Sequence, residues 1–254
     1  MMDIAVASRS EVGARSRNED DLRYGQAGPH IYLVLADGAG GHSNGAMASD
    51  IVVRSVALAL QRARVYNAAV LEAAVEEAND LLNAGQEGFK AHQRMHATVV
   101  TLWVHAEDRL AMWAHVGDSR LYRVRQGRTE QLTVDDSVVQ HMVDAGFIKP
   151  EEARHHPRKN QLLAALGSED TPSVHVTREP QALQEGDAFL LCSDGWWDAL
   201  EPAEIAQCVD QSASPEQWLD LMAQIVVRRQ PPNQDNYTAL ALWVGNPAEI
   251  TRVG

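Results

Sequence analysis

Residues 31–38, with the sequence IYLVLADG, place an apolar run of β-favouring residues directly before an aspartate and a glycine. Three further apolar runs also have an aspartate at one end, and they lie at residues 110–116, 188–192 and 237–244. The aspartates at the ends of the four runs are Asp37, Asp118, Asp194 and Asp235. Because side chains leave the core where strands end, we expect these four carboxylates to converge on one shared edge.

Converging carboxylates indicate a cation site. One aspartate at a strand end is most often a turn former or a helix cap, but this chain has four, together with the acidic Asn18-Glu19-Asp20 near the first strand. Such carboxylates repel one another, and without a cation one or more would protonate. Oxygen ligands without nearby cysteine or histidine favour Mg²⁺ or Mn²⁺ over zinc. Glycines follow Asp37 and Asp194, which would let a backbone carbonyl approach the metal.

The order of the predicted elements favours antiparallel sheets. Strands at residues 98–105 and 110–116 are joined by a turn, and the helical patterns near residues 48–59 and 71–82 form a separate block. Ser43 and Asn67 are expected to cap these two helices. We therefore predict an α+β fold of two antiparallel β-sheets flanked by helices, rather than a doubly wound parallel sheet.

No internal repeat or Pro/Ser-rich linker divides the chain, so residues 1–254 are predicted to form a single domain. The spacing of His92 and His96 could suit zinc, but no third ligand is evident, and a helix surface is the better interpretation.

The charge of the chain disfavours two classes of partner. Its 254 residues contain 22 Lys and Arg against 35 Asp and Glu, a formal net charge of −13. Nucleic acids and anionic membranes are polyanions, so we expect neither as a partner. We find no secretory signal and no apolar run near the ~18 residues of a membrane span. We therefore expect the protein to be cytoplasmic, and we expect a monomer. Cys192 and Cys208 are expected to be structural, because they lack zinc-type spacing.

Five short motifs occur in a fixed order between about residue 8 and residue 244. They are RSRNED at 15–20, DGAGGH at 37–42, GDSR at 117–120, SDGWWD at 193–198 and DN at 235–236. Together they resemble the bacterial metal-dependent protein phosphatases of type 2C, the PPM family. The resemblance implies a four-layer α-β-β-α sandwich, a two-metal Mn²⁺/Mg²⁺ centre and hydrolysis of phosphoserine and phosphothreonine in proteins. It also implies a Ser/Thr kinase in the same pathway.

Position by position, the resemblance also implies a set of metal ligands: Glu19, Asp20, Asp37, Gly38, Asp118, Asp194 and Asp235. Asp37 would bridge both ions, while Asp194 and Asp235 would complete the shell of the first ion. The Gly38 carbonyl would bind the second ion. Glu19 would reach that ion directly or through water, with Asp20 in support. Asp118 would hold a third, weakly bound ion.

Further residues receive roles outside the ligand set. Arg15 would bind the substrate phosphate, because a planar guanidinium matches phosphate oxygens in a way that Lys does not. Asn236 is expected to orient its neighbours rather than bind metal. Ala39 stands where some relatives have a histidine that protonates the leaving group, and His42 is either its substitute or a structural imidazole. Asn160 stands where some relatives have a serine ligand, which argues against a complete third metal site.

Residues 135–167 resemble the helix pair and flap of bacterial members and would form a wall for the substrate. Two other functions stay open, namely a phosphoesterase that acts on small molecules and a catalytically inactive cation-sensing scaffold. Arg15 and the flap do not separate protein from small-molecule substrates. The complete set of aspartates argues against the scaffold.

Overall fold

Two antiparallel β-sheets lie face to face. The computed structural model describes residues 3–39, 44–90, 93–229 and 234–247. The first sheet contains, in spatial order, β1 (Ile4–Glu11), β12 (Tyr237–Val244), β11 (Ala188–Cys192), β7 (Arg120–Arg125) and β8 (Arg128–Gln131). The second sheet contains β10 (Gln181–Ala182), β6 (Leu110–Val116), β5 (Val99–His105), β3 (His30–Ala39) and β2 (Asp20–Ala27). Two short strands extend it, as β4 (His96–Ala97) pairs with β3 and β9 (His175–Val176) pairs with β6.

Helices cover the outer face of each sheet. On the second sheet lie α1 (Asn44–Arg62) and α2 (Ala68–Gly85). On the first sheet lie α5 (Asp194–Trp197), α6 (Pro202–Asp210) and α7 (Pro215–Arg229). Two short helices, α3 (Val138–Asp144) and α4 (Pro150–Ala153), belong to the segment 135–167. This arrangement confirms the predicted α-β-β-α sandwich. Among the described helices, none is both long and apolar enough to cross a membrane.

The central strands are largely apolar because both of their faces are buried. On β3, Leu33 and Leu35 pack in the core between the sheets, whereas Val34 and Ala36 pack against the helices outside. All eight residues of β12 are buried in the same alternating way. Side chains alternate between the two faces of a strand. Each strand of this kind therefore contributes to the apolar core between the sheets and to the apolar layer between its own sheet and the helices outside.

Most of the elements expected from the sequence are confirmed. The runs at residues 188–192 and 237–244 are β11 and β12, and Asn67 caps α2 by accepting a hydrogen bond from Val70 N. Ser43, the other expected cap, lies outside the described residues. β2 and β8 were not expected from the sequence, because their sequences DDLRYGQA and RTEQ are largely polar. Both are edge strands with exposed positions, so apolar periodicity is weak there.

A buried ion pair fastens β7 to the turn before β11. The carboxylate of Asp187 is fully buried and accepts hydrogen bonds from Arg125 Nε at 2.6 Å and Nη2 at 2.7 Å. It also accepts a hydrogen bond from Gln184 N at 2.9 Å. The bidentate geometry satisfies a charge that has no access to water.

Arg125→Ala is expected to lower the free energy of unfolding by about 3–5 kcal/mol, because it leaves the buried Asp187 carboxylate without its cation. Arg123→Ala on the same strand is the matched control. Its partner Glu130 is exposed, so the loss should be about 1 kcal/mol or less. Urea unfolding followed by tryptophan fluorescence measures both variants. Equal losses in the two variants would contradict this assignment.

Candidate metal centre

The acids at the strand ends converge between the two sheets at one end of the sandwich. We call this end the mouth. Asp37 follows Leu33 and Leu35 at two-residue spacing on β3, so its side chain shares their face toward the opposite sheet. Asp20 lies directly opposite Asp37 in the register of β2 and β3, and it shares that face. Asp194 comes from the other sheet, directly after β11. The two sheets therefore contribute carboxylates to the same space.

A cleft of about 740 Å³ opens at this mouth. Its lining contains most of the residues predicted for the site: Arg15, Glu19, Asp37, Gly38, Asp118, Asn160, Asp194, Asp235 and Asn236. Asp20 is buried beside this lining and is only 8% exposed. His42 lies outside the described residues.

Hydroxyl groups next to the acids hold the mouth together. Ser193 Oγ donates a hydrogen bond to Asp20 Oδ2 at 2.8 Å and thereby joins the two sheets. On the other side, Asp37 N donates to Thr98 Oγ1 at 3.0 Å, and that hydroxyl is 2.7 Å from Ser119 Oγ. None of these three residues was predicted from the sequence to support the site. Two of them could have been found from their position in the sequence, because Ser193 and Ser119 each stand directly beside a predicted aspartate.

Burial and mutual repulsion raise the pKa of the carboxyl groups at the mouth. The pKa of Asp37 lies well above its usual range, because the group is buried and faces Asp20 and Asp194. The pKa of Asp194 is likewise raised well above its usual range by burial and by the neighbouring Asp118. Burial also raises the pKa of Asp118 to about 7 and that of Asp20 to about 6. Without a cation, the cluster therefore keeps protons that ordinary aspartates have lost at neutral pH.

Two buried carboxylate oxygens without hydrogen-bond partners show that the site fits a hard cation. Oδ1 of Asp194 and Oδ1 of Asp20 are buried, and neither has a hydrogen-bond partner among the described residues. A buried charged oxygen without a partner is costly, and a bound cation would offset that cost. The side chains around these two atoms offer carboxylate oxygens, which are the ligands that Mg²⁺ and Mn²⁺ prefer.

Asn236 fastens the loop that carries Arg15 and Glu19. Its Nδ2 donates hydrogen bonds to the carbonyls of Val12 and Arg17, both at 2.8 Å. Its Oδ1 accepts a hydrogen bond from Glu19 N at 2.8 Å. Both ends of the amide are thus engaged with the main chain, which is the geometry of a positioning residue.

Arg15 stands at the rim of the cleft. Its Nη2 donates to Asp235 Oδ2 at 2.7 Å, and its side chain is 56% exposed. The guanidinium is therefore held beside an acid of the cluster while it stays open to solvent. A planar fork of donors in this position suits an anion with several oxygens.

Gly38 and Gly195 allow main-chain segments to pack closely. A Cβ atom at Gly38 would lie 2.0 Å from the carbonyl oxygen of Gly45. A Cβ atom at Gly195 would lie 2.1 Å from the carbonyl oxygen of Asn236. From the sequence, these glycines were expected to let a backbone carbonyl approach a metal. The packing contacts supply a separate physical reason, because a side chain at either position would collide with neighbouring main chain.

The segment 135–167 forms part of the cleft wall. Asn160, Leu162 and Ala165 line the cleft together with Asp118. Arg154 Nη2 connects the segment to α5 by donating to the carbonyl of Trp197 at 3.0 Å. The indole of Trp197 in turn donates to the carbonyl of Asp118 at 2.9 Å. Trp197 therefore connects the segment 135–167 with the main chain of Asp118.

His96 corrects one expectation from the sequence. It lies in β4 and lines the cleft, whereas the sequence analysis placed it on the surface of a helix. Pairing of β4 with the end of β3 places it there. Its expected companion His92 lies outside the described residues.

Comparisons with known proteins show which protein family this chain is similar to. Its sequence matches the family described as protein phosphatase 2C over residues 8–242. The serine/threonine protein phosphatase PstP of Mycobacterium tuberculosis is 37% identical over 207 residues, which cover 81% of this chain and 39% of PstP. The protein phosphatase PhpP of Streptococcus pneumoniae is 31% identical over 214 residues, covering 80% of this chain and 83% of PhpP. The chain thus spans well under half the length of PstP and most of the length of PhpP.

Solved structures share the fold over nearly the whole chain. The crystal structure of the M. tuberculosis serine/threonine phosphatase PstP/Ppp has a TM-score of 0.85 at 30% identity, covering 96% of this chain and 100% of that one. The catalytic domain of PstP in complex with two manganese ions has a TM-score of 0.83 at 29% identity, with coverage of 96% and 100%. Given the family match over residues 8–242 and relatives above 30% identity, this chain belongs to the protein phosphatase 2C family.

Proposed function

We propose that this chain hydrolyses phosphoserine and phosphothreonine in proteins, with Mn²⁺ or Mg²⁺ bound among the acids of the cleft. One observation carries the proposal: Asp37, Asp118, Asp194 and Asp235 converge on a single cleft whose rim bears the exposed guanidinium of Arg15. The relatives PstP and PhpP, which are named as protein phosphatases, support it.

The acids of the cleft would hold the cations. The proposed ligands are Glu19, Asp20, Asp37, the Gly38 carbonyl, Asp194 and Asp235, with Asp118 holding a third and weaker ion. When bound, two divalent cations supply a hydroxide nucleophile at neutral pH and offset the charge of the phosphoryl oxygens.

The protein's own residues bind and orient the phosphate. Arg15 presents guanidinium N–H donors to the phosphoryl oxygens, and its contact with Asp235 keeps it at the rim. Burial raises the pKa of Cys192, and burial also raises the pKa of Cys208 to about 11. Both thiols are therefore protonated at neutral pH, which supports hydrolysis without a cysteine nucleophile.

The shape of the cleft favours a polypeptide substrate. A second cleft of about 510 Å³ adjoins the first and shares Arg15, Asn160, Asp194 and Asp235 with it. It adds Arg154 and Arg229, which pair with Glu201 and Glu204, together with the acidic Asp198. A small-molecule site encloses most of its ligand, whereas an extended groove can bind the residues that flank a phosphorylated side chain. The proposed substrate is therefore a phosphoprotein.

We also propose that the enzyme opposes a Ser/Thr kinase. Removal of phosphate from serine and threonine can regulate a protein only where a kinase attaches it. A cytoplasmic location, a monomeric state and a single catalytic domain stay predictions from the sequence.

Turnover of phosphopeptides tests the proposed function. With Mn²⁺ present, the protein should hydrolyse phosphoserine and phosphothreonine peptides faster than sugar or nucleotide phosphates, and EDTA should abolish turnover. Asp194→Asn should lower kcat by about 100-fold or more, because a buried ligand oxygen is lost. Asp144→Asn, an exposed position on α3, is the matched control and should keep wild-type turnover.

Two outcomes would contradict this proposal. Metal-independent turnover, or equal rates for wild type and Asp194→Asn, would exclude the metal-assisted reaction. A preference for sugar or nucleotide phosphates over the peptides would instead favour a small-molecule phosphoesterase.

Arg15→Lys and Arg15→Ala are both expected to raise KM for a phosphopeptide by about 10-fold or more, because a charged hydrogen bond to phosphate contributes roughly 1.5–3 kcal/mol. The affinity for Mn²⁺ should change less than KM, since Arg15 is not itself a proposed ligand and contacts one of them, Asp235. Arg23→Ala on the exposed face of β2 serves as control. If the Arg15 variants lose Mn²⁺ affinity while KM stays unchanged, Arg15 acts on Asp235 and not on the phosphate.

A further inference from the structure

A second group of ligand-type side chains lies outside the acidic cleft. His115, Asp136 and His175 each offer one potential ligand atom, and these atoms lie within 4.8 Å of one another. None of the three residues lines the cleft described above. Nothing in the proposed hydrolysis requires these side chains, so they call for a separate explanation.

Strand pairing brings the two histidines together. His115 on β6 lies directly opposite His175 on β9 in the antiparallel register. Opposite residues of paired strands project to the same face, and the two rings stack with centroids 4.8 Å apart at an interplanar angle of 19°. Asp136, from the loop before α3, places Oδ1 2.8 Å from His175 Nε2. The group therefore depends on the sheet register and on one loop.

His115 has a buried nitrogen without a partner. The residue is 5% exposed, and its Nε2 is 2.8 Å from the carbonyl oxygen of Val134. A carbonyl oxygen only accepts hydrogen bonds, so Nε2 carries the proton and Nδ1 carries the lone pair. Nδ1 is buried and has no hydrogen-bond partner among the described residues. An N–H held by a backbone carbonyl is the usual way in which a metal-binding histidine is oriented.

We propose that His115, Asp136 and His175 bind a divalent transition metal of the zinc class, at a site separate from the acidic cleft. Two imidazole nitrogens and one carboxylate suit Zn²⁺, Ni²⁺ or Cu²⁺, whereas Mg²⁺ prefers oxygen ligands alone. This donor set matches catalytic zinc sites with two histidines and one carboxylate, which leave a fourth position to water.

A bound metal would require the three ligand atoms to move closer together and the stacked rings of His115 and His175 to turn relative to each other. Ligand atoms around a tetrahedral zinc lie about 3.4 Å apart, given metal–ligand bonds of about 2.0–2.2 Å. The side chain of His175 is 48% exposed, so a rotation of this ring can close the remaining gap. Burial lowers the pKa of His115, which keeps that imidazole in the neutral form that binds metals.

The proposed site is connected to the turn that carries Asp118. Asp136 Oδ2 accepts a hydrogen bond from Gly117 N at 2.9 Å, and Asp136 N donates to the Gly117 carbonyl at 3.0 Å. Gly117 has a positive φ of 98° and directly precedes Asp118. A metal on Asp136 would therefore stiffen the turn that presents Asp118 to the acidic cleft.

Zinc binding tests the proposal without reference to catalysis. We dialyse the Asp194→Asn protein, prepared without a polyhistidine tag, against Zn²⁺ in the presence of excess Mg²⁺. Bound zinc is then measured by mass spectrometry. This background weakens the acidic cleft as a zinc site. We expect one Zn²⁺ per chain, and adding His175→Ala should weaken binding roughly 100-fold. Adding His141→Ala, an exposed histidine on α3, should leave binding unchanged.

Copper provides an independent spectroscopic readout. Electron paramagnetic resonance of the Cu²⁺ complex should show hyperfine coupling to two nitrogens, and His175→Ala should reduce this to one. His175→Gln is a second variant in case His175→Ala alters the fold, which circular dichroism will show. The proposal is overturned if no stoichiometric zinc binds, or if both His175 variants bind zinc as tightly as the parent.

Discussion

The central physical constraint in this structure is repulsion between carboxylates that are buried where the two sheets meet. Asp37 belongs to one sheet and Asp194 follows a strand of the other, so their repulsion acts between the sheets. Apolar packing opposes it, since Leu35 and Leu191 share the core between the same sheets. Burial also removes the water that would screen these charges. The fold therefore uses packing free energy to assemble a site that is unfavourable until a cation binds.

Neutral hydrogen bonds keep this site in one geometry. Ser193 joins the sheets through Asp20, Thr98 holds the main chain of Asp37, and Asn236 holds the loop of Glu19. These groups carry no charge, so they position the acids without neutralising them. Rigid strand ends supported in this way give the precision that a catalytic metal site requires.

The sequence predicts this fold well where strands are buried on both faces, since β11 and β12 appear as uninterrupted apolar runs with an aspartate at one end. It fails at the polar edge strands β2 and β8, which have weak apolar periodicity. The acids of the cleft could be found because strand ends converge. The hydroxyl of Thr98 could not, because threonines are common and only the contact with Ser119 across the sheets gives it a role. Valines at 174 and 176 indicate a short strand, but no sequence pattern gives the register that pairs His115 with His175.

Thermal unfolding of the metal-free Asp194→Asn variant tests the central claim most directly. If the acidic site is unfavourable without a cation, this variant should melt at a higher temperature than metal-free wild type at pH 8. Metal-free wild type must either hold a repelled, desolvated carboxylate or keep a proton at that pH, and the asparagine does neither. Saturating Mn²⁺ should then stabilise wild type by about 2.7 kcal/mol at 100 times Kd and stabilise the variant much less. The account is contradicted if metal-free Asp194→Asn melts below wild type and Mn²⁺ raises both melting temperatures equally.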